Sequence, residues 1–217
     1  MPQLHQPLVA LVDDDESVRR SLSLALEKRD FCVATFSRVE TFLEWESLNA
    51  VDCVVSDLSL PGLGGLELQE RLIGCGHGLP IIFITGKGDI PSSVAAIKKG
   101  AVDYLEKPFR LNLLIDRINE AIDLNGQRRQ ADAERSAVLS RYRRLTPRER
   151  EVMGLLIADP GAASSKQIAR RLNVSHRTID HHRARVLEKM EARSLPELVA
   201  IARTHLDAEE PDRSDVG

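Results

Sequence analysis

Along the first 125 residues, short apolar runs alternate with longer stretches that carry an apolar stripe. The runs fall at 8–12, 32–35, 52–56, 80–85 and 101–105, and their length and β-branched content predict strands buried on both faces. Between them, 16–29 places Val18, Leu22, Ala25 and Leu26 on one stripe with charges opposite. Residues 37–48, 66–73, 90–99 and 110–124 follow the same rule. Five strand–helix pairs predict an α/β doubly wound (βα)5 fold, with a parallel five-stranded sheet, right-handed crossovers and helices on both faces. Such a sheet binds ligands at the carboxyl ends of its strands, near the point where the strand order reverses.

The stripe fades over 125–145, a segment rich in Gln, Arg and Ala with no proline and one glycine, Gly126, which reads as a polar, partly helical linker. From Thr146 the pattern is all helical. Thr146 with Pro147 and Glu149 is a capping-box signature. That helix stops near Ala158 at the sequence DPG; a short one follows from Ser164 and ends at Asn173. Ser175 caps a third helix to about Met190, and Ser194 a fourth to about Leu206. The reading is a domain at 7–124, a linker at 125–145, a tetrahelical domain at 146–206 and a disordered acidic tail at 207–217.

Charge separates these parts. Residues 1–125 sum to −7, 128–205 to +8 and 206–217 to −4, within an overall −3. An acidic half followed by a basic one points to different partners, nucleic acid among them. No stretch reaches the roughly 18 apolar residues of a membrane span, and the amino-terminal residues do not resemble a secretory signal. Three cysteines are too few for a disulfide framework and match no zinc spacing; Cys32 and Cys53 read as small buried apolar groups. A reducing cytoplasm fits.

Chemistry concentrates at strand ends. Asp13 and Asp14 close the first apolar run and Asp57 the third. On adjacent parallel strands these carboxylates converge, and converging carboxylates repel unless a cation sits among them; an all-oxygen set suits Mg²⁺. Thr85 ends the fourth run, and the fifth leads into Lys107-Pro108. Acids, a hydroxyl and an ammonium on one rim describe a phosphoryl acceptor. Asp15 reads as a helix N-cap.

The segments VDDDESVRRSL, VVSDLSLPGLGGLEL, IIFITGKGD and GAVDYLEKPF resemble the receiver domains of two-component response regulators over residues 7–124. The resemblance implies that Asp57 is the phosphorylated aspartate. It implies that Asp14, Asp57 and the Ser59 carbonyl ligate Mg²⁺, with Asp13 acting through water. It gives Lys107 and Thr85 to the phosphoryl group and pairs Thr85 with Tyr104 as a switch. It also implies a cis peptide before Pro108.

In the basic half, two helices are joined by LNVS, with Ala169 turned inward and Ile168, Leu172, Val174 and Ile179 forming a small core. The helix 175–190 presents His176, Arg177, Thr178, Asp180, His181, Arg183, Ala184 and Arg185 on a polar face suited to the major groove. His176, His181 and His182 lack the spacing of a helical zinc pair. LTPREREVMGLL, KQIARRLNVSHRTIDHHRARVLEKM and ARSLPELVAIA are similar to the LuxR-type DNA-binding domain, and the whole chain resembles NarL/FixJ-type regulators, closest to the FixJ branch. That resemblance implies base-facing positions at Asp180, His181 and Ala184. It makes Lys166, Arg177, Thr178, Arg183 and Arg185 candidates for phosphate or neighbouring contacts. The loop ADPGAASSK is about three residues longer than usual, a surface insertion of small cost.

The expected protein is a cytoplasmic transcription factor, not an enzyme. A sensor histidine kinase is its phosphodonor, double-stranded DNA its ligand, and Mg²⁺ its cofactor. A homodimer would form through the face shared by the fourth helix and fifth strand, with Val94, Lys98 and Asp103 in contact. Two other readings are a DNA binder indifferent to phosphorylation and a metal-dependent phosphatase. Against the phosphatase, Ser59 stands where such enzymes place a second aspartate.

Overall fold

The computed structural model describes residues 6–75, 78–86, 94, 96–158 and 164–206. The acidic tail 207–217, half of the predicted helix 90–99 and the centre of the ADPGAASSK loop lie outside them. The chain divides into two compact units, Met1–Arg129 and Gln130–Gly217.

In the first unit the order is β1 (Leu8–Val12), α1 (Glu16–Glu27), β2 (Cys32–Phe36), α2 (Val39–Leu43), a 3₁₀ turn at Leu48–Ala50, β3 (Cys53–Asp57), α3 (Gly65–Gly74), β4 (Ile81–Thr85), β5 (Asp103–Glu106) and α4 (Leu111–Arg143). Residues 94 and 96–98 are helical as well. All neighbouring strands pair in parallel, in the order β2-β1-β3-β4-β5. The order reverses between β1 and β3, and their register sets Val12 beside Ser56.

Alternation along the strands divides the core in two. Val9, Leu11, Val55, Ile82 and Ile84 face Leu26 of α1 and Leu114 and Ile118 of α4. Ala10, Val12, Val54, Ile81 and Phe83 face Val39 and Phe42 of α2 and Leu68 and Leu72 of α3. Two-sided burial is why β1, β3 and β4 read as nearly unbroken apolar runs. At about 1.5–3 kcal/mol for each fully buried aliphatic or phenyl side chain, these two layers are the main stabilisation of the sheet.

Two expectations are corrected here, and an open one is answered. β2 lies at the sheet edge and pairs only with β1, so its burial is partial and Cys32 is exposed; Cys53, on the central β3, is buried, and burial pushes its thiol well above the ordinary value. The predicted helix over 37–48 shrinks to Val39–Leu43, because Phe36, Phe42 and Trp45 turn toward one another, with ring centroids of Phe36 5.2 Å from both. The last helix of the (βα)5 array and the partly helical linker that follows it, whose continuity the sequence leaves open, form one helix. It continues to Arg143, since 125–143 contains good helix formers and no proline.

The second unit holds the end of α4 and four further helices: α5 (Pro147–Ala158), α6 (Ser165–Leu172), α7 (His176–Met190) and α8 (Leu195–His205). Side chains from all of them, including Val138, Met153, Leu156, Ile168, Ile179, Val186, Met190 and Leu198, share one core. The caps follow the sequence. Ser164, Ser175 and Ser194 accept from the amides of Gln167, Thr178 and Glu197, and Asn173 ends α6 with φ 52°. The capping box also forms: the Thr146 amide donates to Glu149 Oε2 at 2.8 Å, and the Glu149 amide to Thr146 Oγ1 at 3.3 Å.

Candidate functional site

Because β1 and β3 are neighbours and both end at the same edge, Asp13 and Asp57 meet at the reversal of strand order. One carboxylate oxygen from each of Asp13, Asp14 and Asp57 lies within 4.8 Å of the others. Asp13 is fully buried and Asp57 nearly so, while Asp14 is exposed. Two unit charges 4 Å apart near a protein surface repel by about 4 kcal/mol. Lys107 answers that repulsion: its Nζ lies 2.7 Å from Asp13 Oδ2 and 2.7 Å from Asp57 Oδ2. Burial alone would lower the lysine's pKa; its hydrogen bonds to Asp13 and Asp57 outweigh burial and hold it above the ordinary value.

Each carboxylate is oriented by its second oxygen. Asp57 Oδ1 accepts from the Ser59 amide at 2.8 Å, and Asp13 Oδ1 from the Asp15 amide at 2.9 Å. Asp15 itself caps α1, accepting from Ser17 and Val18; Ser17's hydroxyl and amide hold its carboxyl below the usual range. The Lys107 amide donates to the Thr85 carbonyl at 2.7 Å, which ties the end of β5 to the end of β4, and the Lys107–Pro108 peptide is cis. Thr85 is buried, and its hydroxyl donates to the Gly86 carbonyl at 3.1 Å. Tyr104 is half-buried and pairs with Phe83 in the β4–β5 register, two positions before Thr85 on the same face.

Sequence reasoning missed two contributors to this rim. Arg19, on the first turns of α1, donates to the Asp13 carbonyl at 2.6 Å. Gly65 opens α3 directly beneath Asp57: a Cβ there would stand 2.8 Å from the Asp57 carbonyl oxygen and 2.8 Å from the Phe83 ring. The spacing Asp13–Arg19 carries the first as an early helical residue facing back to the strand. The second is a tertiary contact with no local sign.

Of the residues assigned to the dimer face, Val94 is 48% exposed and Lys98 is exposed, with the apolar Ile97 also exposed beside them. Asp103 is half-buried and bound by Arg117, whose Nε lies 2.7 Å away.

In the second unit, Lys166, Arg177, Thr178, Asp180, His181, Ala184 and Arg185 are all exposed. Arg183 departs from the expected polar face: it is half-buried, and its Nη1 donates to Ser165 Oγ at 3.1 Å. The same Ser165 hydroxyl donates to Asp180. Ser165 thus links α6 to two positions of α7, a role nothing in the sequence marks. Arg148 of α5 donates to the Leu172 carbonyl at 2.9 Å and closes the end of α6. At the base of the unit Lys189 Nζ sits 2.6 Å from Glu149 Oε2. Burial pushes that carboxyl up, but Lys189 and the Thr146 amide and hydroxyl prevail and bring it to about 2.

Residues 9–119 match the family described as the response regulator receiver domain, and 143–202 match the bacterial regulatory proteins of the luxR family. The chain is 41% identical to the transcriptional regulatory protein FixJ of Bradyrhizobium diazoefficiens over 194 residues, 89% of this chain and 93% of that one. Among solved structures, a low-resolution structure of the response regulator StyR matches with TM-score 0.80 and 40% identity, covering 91% of this chain and 98% of that one. Full-length FixJ from B. japonicum matches with TM-score 0.55 and 40% identity, covering 92% and 97%. A phosphoacceptor-like rim on a (βα)5 sheet followed by a helix-turn-helix, with relatives matched across both units, makes this chain a two-component response regulator of the NarL/FixJ type, a receiver joined to a LuxR-type DNA-binding domain that regulates transcription.

Proposed function

We propose that Asp57 takes a phosphoryl group from a sensor histidine kinase and that this controls how residues 146–206 bind DNA, with 7–124 as the acceptor domain and 125–145 as the linker. The observation that supports this most is Lys107 held at 2.7 Å from both Asp13 and Asp57 at the reversal of strand order. A cation already bridging two buried acids is placed to follow the negative charge when it moves onto a phosphoryl group.

Receiver domains bind Mg²⁺ at an acidic pocket, and the Asp13, Asp14 and Asp57 cluster is all oxygen, with one exposed member that leaves room for water. Asp14, Asp57 and the Ser59 carbonyl would hold the ion, Asp13 acting through water. Bound there, Mg²⁺ neutralises charge on the phosphoryl oxygens. An Asp57 carboxylate oxygen attacks phosphorus; the bond from phosphorus to the donor's imidazole nitrogen breaks, and that nitrogen keeps the electron pair. Lys107 exchanges its bond to Asp57 for one to the new phosphoryl oxygen. Thr85 gives up the Gly86 carbonyl to donate there, and the Tyr104 ring fills the vacated space. The face bearing Val94, Lys98 and Asp103 then supports a homodimer, and paired α7 helices engage two half-sites with Asp180, His181 and Ala184 toward bases and Lys166, Arg177, Thr178, Arg183 and Arg185 toward phosphates. This chemistry belongs to the cytoplasm; among the described residues no helix is long and apolar enough to cross a membrane.

The test is incorporation of labelled phosphate from a small acyl-phosphate donor, followed by DNA binding. Uptake at one equivalent, blocked by chelation of Mg²⁺ and by Asp57→Asn, with tighter DNA binding after uptake, is the expected result. Equal DNA affinity with and without the donor would sink the control of DNA binding by phosphate.

A further inference from the structure

Between His176 and Arg185, α7 carries a single acid, Asp180, and that acid is exposed among basic and neutral side chains. A carboxylate beside DNA repels the phosphate backbone, so Asp180 opposes binding to every sequence unless a base donates a hydrogen bond to it.

This carboxylate is held by a neighbouring helix. The Ser165 hydroxyl of α6 donates to Asp180 Oδ1, and Arg183 Nη1 donates to the same hydroxyl oxygen at 3.1 Å. The direction of both bonds is forced, since a guanidinium only donates and a carboxylate only accepts. Ser165 is half-buried, and its hydroxyl does not cap α6. Ser164 does that, accepting from the Gln167 amide. Nor does the packing of α6 on α7 rest on it, because Ile168, Ala169 and Ile179 are buried in one core. What the two bonds add is a carboxylate fixed in place.

We propose that Asp180, fixed by Ser165, selects cytosine at one position of each DNA half-site, with Ser165 as its positioning residue. This rests on the placement of α7 in the major groove proposed above. There only cytosine N4 and adenine N6 present donors; guanine and thymine present acceptors, and adenine sets its N7 acceptor beside the amino group. A carboxylate has no hydrogen to give, so cytosine suits it best, adenine less, and guanine and thymine repel it. Fixing the group strengthens the rejection. A loose aspartate turns away from a wrong base toward water, whereas one bonded to a neighbouring helix has to meet it.

The probe is a randomised duplex pool bound by the full chain, with and without a small acyl-phosphate donor, followed by titration of the selected duplex and its single-base variants. The unsubstituted chain should prefer cytosine over guanine or thymine about tenfold at one position per half-site. Asp180→Ala should flatten that position alone and tighten binding to the guanine and thymine duplexes. Asp180→Asn should move the preference to adenine, whose N6 and N7 suit a carboxamide. Ser165→Ala should cut the cytosine preference about fivefold, and Ser165→Thr, which keeps the hydroxyl, should retain it. A pool that the unsubstituted chain does not enrich would overturn the placement of α7 and this proposal with it. Enrichment with unchanged base frequencies in Asp180→Ala would overturn this proposal alone. So would a loss in Ser165→Ala that is equal for all four bases, the mark of a hydroxyl that only supports the fold.

Discussion

At the rim of the first unit, Asp13, Asp57, Thr85 and Lys107 arrive from the ends of four strands, and the first three are almost inaccessible. On α7 of the second unit, Arg177, Thr178, Asp180, His181, Ala184 and Arg185 come from a single stretch of helix and are all exposed. The rim is one object: Lys107 touches both acids, and each acid is also held by a backbone amide. Most of the α7 face is a set of separate groups sharing a scaffold. Interlocked charges should respond to substitution together, whereas separate exposed contacts should respond one at a time.

The largest effects belong to the rim. Asp57→Asn should remove phosphate uptake entirely, and Lys107→Ala should remove the phosphate-dependent gain in DNA binding; the double variant should be no worse than either, as measured by labelled-phosphate uptake and DNA titration. Losses that simply add would break the contrast. Lys107→Ala should also raise Mg²⁺ affinity about tenfold, since the two acids lose their competing cation. Calorimetric titration with Mg²⁺ checks this.

Smaller and additive losses are expected on α7. Arg177→Ala and Arg185→Ala should each weaken DNA binding about tenfold and lower the slope against log salt by about 0.9, independently of one another. Ser165 sharpens the comparison, because it joins Asp180 to Arg183 and gives α7 one interlocked spot of its own. Ser165→Ala should change base preference opposite Asp180 by about 1 kcal/mol and abolish additivity between Asp180→Ala and Arg183→Ala, read by binding to a randomised duplex pool.

The smallest effect is on stability against acid. The Glu149 carboxyl titrates at about 2 when folded, below its ordinary value of 4.5, so the protonated form is disfavoured in the native state. Its contribution is complete above the unfolded value and is lost as pH falls from about 5 toward 2. Thermal unfolding of the full chain between pH 7 and 3 should therefore show a shallower acid decline for Glu149→Gln than for the unsubstituted protein.

The convergence at the rim was legible because β1, β3 and β4 each run into an acid or a hydroxyl, so parallel pairing is enough to bring Asp13, Asp57 and Thr85 to one edge. The tetrahelical unit was legible through its caps: Thr146, Ser164, Ser175 and Ser194 act locally, and local rules find them. What escaped depends on distance in sequence. The Ser165 hydroxyl reaches 15 and 18 positions to Asp180 and Arg183, and no periodicity records such a link. Edge or centre of a sheet is likewise a property of strand order, so Cys32 and Cys53 looked alike and proved opposite. Phe42, Leu43, Trp45 and Leu48 have a helical spacing, yet ring packing against Phe36 ends α2 after one turn and a little more.

Gly65 turns a bare hydrogen into a spacer beside Asp57. A methyl group at that position would press on the carbonyl of Asp57 and on the Phe83 ring at once, and the strand ending in Asp57 would have to move as a body. Gly65→Ala should thus mimic damage to Asp57 without altering any side chain of the acid rim, which makes the depth of Asp57 an outcome of how closely a neighbouring helix is allowed to approach.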